Sequence, residues 1–462
     1  MRKRIIALAM AAGFSTVPAW AADDTAVLLA EMKRLAARVD ALEKQNKEME
    51  KALSSERLSE KEPELATRVK AVEAEVNAIK GPATKLAEAL DGIEVGGSIV
   101  GVTQKVGAGG TASGNGDSRN NYRGDLTVSL PLGSMGDREG KLFTHFRLGQ
   151  GEGVLLRPTY TSTPNTTAFQ TNAGPDDSYA ILAQAWYQLK VPLDGSREHA
   201  KEHLYFTIGK IDSFVFFDQN AAADDESTRF MNNVFVHNPL LDSGGDIGAD
   251  RYGFQPGAIV KYENSSGKGS EWAVSLGAFG SGSGANFSGS ASDPFVIGQI
   301  ETAARFNYLP GHYRAYAWTN GRSQNYDAVQ RRNTGWGFSV DQKVTDDLTL
   351  FGRFGYQTAG KVMFDRALTL GTELDGTPWG RSADAIGIAH GSLKTSDEYH
   401  ADSLAVAGYQ ASGWETQTEI YYRFKLNDAI ELSPDFQWIQ RPGGNGNAST
   451  VKVGGVRARI GF

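Results

Sequence analysis

Two hydrophobic periods divide the chain. Between residues 22 and 91, apolar residues recur at alternating spacings of four and three, which is the pattern of a coiled coil. From Ile93 onward the period changes to two, because apolar and polar side chains alternate in one segment after another. A period of two places successive side chains on opposite faces of a β-strand. The pattern therefore predicts a helical segment followed by an all-β body over residues 92–462.

The heptad segment predicts a parallel helical bundle that makes the protein a homo-oligomer. Its apolar seam includes one polar residue, Asn46, and such a residue fixes register at some cost in stability. The phase fails around Pro63 and resumes two positions shifted, which indicates a hinge or an unwound turn. We expect a trimer projecting into the periplasm, with contact to the cell wall as a second role, whereas a lone amphipathic helix is the alternative. The seam comprises Leu28, Met32, Leu35, Val39, Leu42, Asn46, Met49 and Leu53.

The first 21 residues predict a secretory signal peptide. Arg2, Lys3 and Arg4 give it a basic start, an apolar centre follows, and small residues at 19 and 21 end it. Cleavage after Ala21 would send the product out of the cytoplasm of a bacterial-type cell. A short buried helix is the alternative.

The alternating segments predict a transmembrane β-barrel. One face of each candidate strand is apolar, and the other often carries Arg, Glu and Gln together, as the wall of a hydrated lumen would. A soluble sandwich shows similar alternation, with its polar face in water. About 15 candidate strands can be counted, and a closed bacterial barrel needs an even number, so we expect about 16 antiparallel strands around an aqueous channel. Clear examples are 126–132, 348–357, 415–425 and 430–438.

The connections and the last strand favour the outer membrane. Tyr and Trp gather at strand ends, as in the aromatic girdles of membrane proteins. Tight turns alternate with long polar loops, which matches a periplasmic and an outer rim. The chain ends on Phe462, on the apolar face of an alternating strand, and this resembles the signal that the barrel assembly machinery recognises. Tight turns are expected at 310–311, 345–347 and 427–428, and long loops at 151–177, 212–249, 280–295 and 359–380.

Charge and hydropathy narrow the classes of partner. The formal charge is −7, and loss of the three cations of the leader leaves about −10, which argues against a nucleic-acid partner. The chain has no cysteine, so disulfides and thiolate chemistry are excluded. No run of 18 apolar residues occurs beyond the leader, so no spanning helix is expected, whereas alternating strands stay compatible with outer-membrane lipid.

An acidic, amphipathic insert follows the strand that ends near Gly209. Its sequence is GKIDSFVFFDQNAAADDESTRFMNN (209–233). Asn220 predicts the cap of a short helix with acidic residues in its first turn, and Glu226 and Arg229 would share one face of that helix. Inside a barrel, such an insert would be the loop that folds inward and narrows the lumen. Its aromatic residues are expected to wedge the loop against the wall: Phe214, Phe216 and Phe217.

The insert also carries a family resemblance. With GKIDSFVFFDQNAAADDESTRFMNNVFVHNP at 209–239, the chain resembles the carbohydrate-selective porins of the OprB type. The resemblance recurs in YGFQPGAIVKY (252–262), IYYRFKL (420–426) and ELSPDFQWIQRPGG (431–444). It implies passive, diffusive uptake of small sugars through an eyelet built by the inward loop. The long heptad segment departs from that family and is familiar from anion-type porins, so a general or anion-type porin stays open.

A porin constriction needs hydrogen-bond partners for sugar hydroxyls, and carboxylates, guanidinium groups and aromatic faces supply them. For every candidate, the alternative is a structural side chain satisfied by its neighbours. On the loop, the expected constriction residues are Asp218, Asn220, Asp224, Asp225, Glu226 and Arg229. On the lumen wall, the candidates are Arg147, Arg353, Glu419 and Arg423, with Trp186 and Tyr421 as rings on which sugars would stack.

The sequence gives little support for metal binding or catalysis. The acidic loop has the oxygen atoms that Ca²⁺ prefers, but it lacks the D-x-D-x-D-G spacing, so no metal is expected. The histidines show no H-E-x-x-H pattern, and no nucleophile motif appears, so no cofactor and no catalytic residue are expected. Two further classes were weighed against a sugar porin: an envelope tether that uses the barrel as an anchor, and a barrel-embedded enzyme.

Overall fold

The computed structural model describes most of the predicted β body. It covers residues 92–160, 163–168, 178–195, 199–241, 253–282 and 292–462, together with scattered helical positions between Arg34 and Glu48. The predicted signal peptide (1–21) and, apart from those helical positions, the predicted coiled coil (22–91) lie outside the described residues. The chain separates into two compact units, Met1–Asp91 and Gly92–Phe462.

The second unit is a closed antiparallel β-barrel. Each of its 16 strands pairs with its neighbours in sequence, and the first strand pairs with the last. The expectation of 16 strands is therefore confirmed. The strands are β1 (Glu94–Val106), β2 (Asp117–Met135), β3 (Arg138–Gln150), β4 (Tyr179–Pro192), β5 (Glu202–Ile211), β6 (Gln255–Asn264), β7 (Trp272–Phe279), β8 (Phe295–Phe306), β9 (Leu309–Gln324), β10 (Gln330–Lys343), β11 (Leu348–Ala359), β12 (Phe364–Gly376), β13 (Arg381–Thr395), β14 (Trp414–Lys425), β15 (Ile430–Gln440) and β16 (Val451–Gly461).

The described parts of the connections include two short α-helices. Helix α1 (Asn233–Val236) belongs to the β5–β6 connection, and helix α2 (Asp397–Ala407) to the β13–β14 connection. The Ser396 side chain caps α2 by accepting a hydrogen bond from the Tyr399 N–H. Within the described residues, no helix has the length and apolarity that a membrane crossing requires. Short 3-10 turns occur at Ala108–Gly110, Ser213–Val215, Thr377–Trp379 and Pro442–Gly444.

The two faces of the sheet differ as the alternation predicts. On β14, Glu415, Gln417 and Glu419 are buried inside the barrel. On β15 and β16, Phe436 and Ile460 point outward and are 56% and 53% exposed. An outward apolar surface and a polar interior are the arrangement that a bilayer imposes on a barrel.

Short and long connections segregate to opposite rims. Both ends of the barrel, near Glu94 and Gly461, lie at the rim of the short turns, as do the turns at 344–347 and 426–429. The connections 151–178 and 212–254 leave from the other rim. Because short turns and chain ends mark the periplasmic side of such barrels, the long connections belong to the outer side.

Two sequence expectations about connections were wrong. The predicted long loop at 359–380 contains strand β12, whose alternation is hard to recognise because Arg366 and Thr372 stand among its outward apolar positions. The predicted tight turn at 310–311 lies two or three residues earlier, at Asn307 and Tyr308, which both adopt positive φ. Pro310 instead stands at the start of β9, a strand position that proline tolerates.

Candidate functional site

The described part of the β5–β6 connection (212–241 and 253–254), here called the inward loop, lies inside the barrel. Its apolar side chains join the main hydrophobic cluster of the interior together with side chains of the wall. Burial of this kind stabilises at about 25 cal/mol per Å² of apolar surface, so the loop is part of the core. The loop contributes Phe217, Phe230, Val234, Phe235 and Leu241, and the wall contributes Phe279, Tyr316, Phe351 and Tyr421.

The predicted short helix after Asn220 is not formed. Residues 221–229 make turns, and α1 begins only at Asn233. The Asn220 side chain accepts from the Ala222 N–H, and the Asp225 side chain accepts from the Ser227 N–H. Such local bonds offer the backbone an alternative to a helix. Glu226 and Arg229 therefore share no helix face and contact different parts of the wall.

A buried ion pair anchors the first part of the loop. The Asp218 carboxylate lies 3.1 to 3.2 Å from Nε of Arg353, and both side chains are 0% exposed. The same carboxylate accepts from the Tyr316 hydroxyl at 2.7 Å and from the Asn238 N–H at 2.6 Å. Arg353 also donates to the Phe235 carbonyl at 2.7 Å. One arginine of β11 thus holds both ends of the segment 218–235.

Two further wall residues form hydrogen bonds with the backbone of the inward loop. Glu419 of β14 accepts from the Met231 and Asn232 N–H groups at 2.5 and 3.0 Å. Arg457 of β16 donates to the carbonyls of Glu226 and Arg229 at 2.9 and 2.6 Å. These bonds satisfy backbone groups that the barrel interior would otherwise leave without partners.

The two predicted stacking rings are covered by other aromatic side chains. Trp186 stacks on Phe143 with 4.7 Å between centroids and meets the edge of Phe216 at 5.6 Å. Tyr421 packs against Phe230 at 4.9 Å and is 1% exposed. Wall contacts of the predicted kind are made by Phe216 and also by Phe217, which packs against Phe279, whereas Phe214 stacks on His237 within the loop itself.

The expected lining of the channel therefore needs a correction. Half of the candidate side chains are 6% exposed or less, because loop and wall cover one another where they meet. These residues hold the loop in place. They are Asp218, Asn220, Trp186, Arg353, Glu419 and Tyr421.

The remaining candidates are partly exposed, and four of them lie in two groups of charges beside the loop. In the first ion cluster, Glu226 accepts from Arg123 at 2.6 Å. Asp125 accepts from Arg123 at 2.8 Å and from Arg147 at 2.7 Å, and its other contact is His145 at 2.7 Å. The side chains of Glu226 and Arg147 each keep 15% of their surface exposed. Cations and carboxylates thus alternate along this cluster.

The second ion cluster lies on the wall of β12 and β14. Glu373 is 3.4 Å from Nε of Arg229 and 3.3 Å from Arg423. The Tyr421 hydroxyl donates to the same carboxylate. Arg229 is 24% exposed and Arg423 17%, so both guanidinium groups keep part of their surface free. Glu226 of the first cluster and Arg229 of the second are both residues of the inward loop, three positions apart. The loop therefore lies between the two clusters.

Four members of these clusters were not singled out in the sequence: Arg123, Asp125, His145 and Glu373. Arg123 and Asp125 stand two apart on β2, and this spacing places them on one face, which is the signal that could have found them. Glu373 lies on β12, in the segment predicted to be a loop.

A second inward loop was also missed. The β3–β4 connection (151–178) was expected only as a polar loop of the rim. Instead the Tyr160 N–H donates to buried Glu415 at 2.8 Å, and the Pro164 carbonyl accepts from Gln437 at 2.7 Å. The Thr166 N–H donates to the Met231 carbonyl at 2.9 Å. This loop therefore supports the inward loop directly and narrows the same part of the lumen.

The neighbouring carboxyls of Asp224 and Asp225 have opposite electrostatic environments. Burial raises the pKa of Asp224, although Arg353 and Arg229 act against this. Burial also opposes ionisation of Asp225, but hydrogen bonds from Ser227 and Thr228 outweigh it and lower its pKa. Ionised Asp225 therefore stabilises the loop, whereas ionised Asp224 does not.

Alanine at these two positions is expected to act differently on stability. At pH 7, Asp225→Ala should lower the free energy of unfolding by about 1–2 kcal/mol, because three hydrogen bonds are lost, whereas Asp224→Ala should change it by less than about 0.5 kcal/mol. Since the pKa of Asp225 is lowered, its contribution is complete above the ordinary aspartate pKa and is lost as the pH falls through the lowered value. Thermal unfolding in detergent from pH 7 to pH 3 measures this. Equal losses in both variants would contradict it.

In the part of the chain that the structure describes, no group of three or more His, Cys, Asp or Glu side chains is arranged to hold a metal ion.

Comparison with protein families identifies the barrel. A family model described as carbohydrate-selective porin, OprB family, matches residues 115–462. This match covers well over half of the chain and includes the inward loop and both ion clusters. The chain belongs to the OprB family. It is accordingly a porin of the bacterial outer membrane that admits carbohydrates.

One solved structure supports the fold of this porin. The high-pH structure of Pseudomonas putida OprB superposes with a TM-score of 0.66 at 18% identity, covering 83% of this chain and 97% of that one. The outer membrane channel DcaP of Acinetobacter baumannii gives a TM-score of 0.48 at 12% identity, with 80% and 97% of the two chains covered. No curated protein matches the sequence.

Proposed function

We propose that small sugars cross this porin by passive diffusion past the two ion clusters and that partly exposed side chains of those clusters contact them. The observation that carries the proposal is the pairing of charges beside the inward loop: Arg123 with Glu226, Arg147 with Asp125, and both Arg229 and Arg423 with Glu373. The carboxyls of Asp224 and Asp225 lie on the loop between the clusters. No chemical step is needed for transport of this kind.

Paired charges suit a neutral polyol better than an ion. Guanidinium groups donate hydrogen bonds, carboxylates accept them, and a sugar hydroxyl does both. In the two clusters, each arginine named above faces a carboxylate, so the field that would attract a free anion is largely cancelled. A general or anion-type porin would need an unpaired row of cations along the lumen. The clusters therefore support sugars over anions.

The proposal extends to assembly. The heptad segment before the barrel supports a homotrimer whose N-terminal part lies in the periplasm, where it would also meet the cell wall. The outward apolar face of the strands suits outer-membrane lipid, and Phe462 at the end of β16 suits recognition by the barrel assembly machinery. These roles follow from the sequence pattern and from the fold.

Swelling of liposomes tests the transport role. We expect Arg229→Ala and Arg147→Ala to reduce, by a few fold, the differences in rate among sugars of similar size, because the donors that distinguish their hydroxyls are lost. Their carboxylate partners Glu373 and Asp125 then each lose one of two arginines and keep Arg423 and Arg123, respectively, so the reversal potential in salt gradients should shift slightly toward cations. Arg332→Ala, at a side chain 66% exposed near the outer end of β10, is the control.

Equal rates for sugars and for anions of similar size, unchanged in both variants, would reject the proposed eyelet.

A further inference from the structure

A cavity lies directly beneath the inward loop, between the loop and the wall of β6 to β9. Its volume is about 470 Å³. Neither ion cluster described above contributes a side chain to it. Its polar lining comprises Gln219, Glu263, Ser265, Glu271, Glu301, Thr302, His312 and Arg314.

Strand direction places this cavity on the periplasmic side of the constriction. The loop rests on a row of wall residues, because the Asp218 N–H donates to Gln299 at 2.9 Å and the Ser339 hydroxyl donates to the Gln219 carbonyl at 2.9 Å. Two residues nearer the short-turn rim, on the same face, stand Glu301 on β8, Arg314 on β9 and Asp341 on β10. A solute that has passed the loop therefore meets this second row on its way out.

The residues of this row and their neighbours form a paired network, here called the exit cluster. Lys261 bridges Glu301 at 2.8 Å and Glu263 at 3.1 Å. Arg314 contacts Asp341 at 2.9 Å and Glu301 at 3.6 Å. His312 contacts Asp341 at 2.8 Å. The exit cluster comprises Lys261, Glu263, Glu301, His312, Arg314 and Asp341.

The exit cluster keeps free surface for a ligand. Side-chain exposure is 43% for His312, 31% for Glu263 and 27% for Lys261. The cavity volume falls in the usual range for small-molecule sites, about 300–1,000 Å³. Each cation of the cluster lies against a carboxylate, so a free ion gains little there, whereas the hydroxyls of a sugar find donors and acceptors side by side.

We propose that this cavity is a second carbohydrate site, an exit subsite that holds a monosaccharide below the constriction. The inference rests on the proposed passage of sugars past the inward loop. Two sites in series let a sugar exchange hydrogen bonds from one row of polar side chains to the next as it leaves. The sugar is then not released from the constriction into water in one step.

Photoaffinity labelling of the whole porin in lipid vesicles locates the sites. The probe is glucose carrying a diazirine, with free glucose as competitor and mass spectrometry of peptides as the readout. We expect labelling that glucose suppresses at two places: the inward loop around 221–230, and the wall segments around 261–275 and 299–314. Labelling of the loop but not of the wall segments overturns the exit subsite and leaves the proposed function standing. Labelling of the wall segments alone supports the exit subsite and overturns the proposed contact of sugars with the inward loop. Labelling at neither place overturns both proposals.

A double variant then tests the residues. Glu263→Ala with His312→Ala should reduce labelling of the wall segments about tenfold, because two hydrogen-bonding side chains are lost, and should leave labelling of the loop unchanged. Gln188→Ala is the control, since that lumen side chain bonds to Thr207 and lies outside the cavity. Unchanged labelling of the wall segments in the double variant overturns the assignment. The labelling map of the natural protein decides the location even if the double variant does not fold.

Discussion

Replacing Asp218 with alanine is expected to free the inward loop and to widen the channel. The substitution leaves the Arg353 guanidinium, which is 0% exposed, without its carboxylate. An uncompensated charge in such a place costs about 3–5 kcal/mol. Tyr316 and the Asn238 N–H lose their acceptor at the same time. The loop can avoid these costs only by leaving the wall, which lets water reach Arg353.

The predicted phenotype combines two measurements. Single-channel conductance should rise, because the loop no longer fills the lumen, and discrimination among sugars should fall with it. Thermal unfolding in detergent should begin at a lower temperature. The matched control is Asp341→Ala, which breaks the ion pair with Arg314 but removes no bond to the inward loop. It should lower stability without raising conductance, and equal conductance in both variants would contradict the anchoring role of Asp218.

Local periodicity predicted the strands and their faces well. On β14, Glu419 and Tyr421 were expected inside and Ile420 outside, and the side chains lie there. This succeeds because alternation is a local property that the bilayer imposes on every spanning strand. Where polar residues stand among the outward apolar positions, as on β12, the same reasoning took a strand for a loop.

Periodicity could not reveal what covers a lumen-facing side chain. Arg353 and Asp218 are 135 positions apart, and only the path of the loop brings them together. Whether a side chain on the inner face is exposed to water or buried therefore depends on tertiary contacts, and a short stretch of sequence does not reveal these contacts. For this reason the predicted lining included both buried residues that hold the loop, such as Glu419, and partly exposed residues, such as Arg423.

Prediction of the candidate site succeeded for the types of residue and failed for their tertiary contacts. Carboxylates and arginines of the predicted kinds lie beside the inward loop, but their pairing with wall residues was not expected. The partners themselves were missed, because Arg123, which binds Glu226, comes from a strand 103 positions before that loop residue, and Asp125 meets the loop only through Arg123. The second inward loop was missed for a related reason: its contacts are with β1, β2, β14, β15 and the first loop, at positions well separated from it in sequence.

Replacing Phe462 with alanine is expected to reduce strongly the amount of assembled barrel in the outer membrane. The thermal stability of the barrels that do assemble should change only slightly. Two backbone hydrogen bonds join Phe462 to Gly97 of β1, at 2.9 and 3.2 Å, and they do not depend on the side chain. The ring itself is 71% exposed on the outward face, so it contributes little packing. Its place directly after β16, the strand that closes the barrel against β1, instead suits recognition during assembly.

Heat-modifiable migration in gels of outer-membrane fractions measures the assembled amount. Phe462→Tyr should retain it, and Ile460→Ala should also retain it, since Ile460 is an outward apolar residue within β16 itself. Equal amounts of Phe462→Ala and natural protein would contradict a recognition role, and a lower amount together with a large loss of thermal stability would assign the residue to barrel closure.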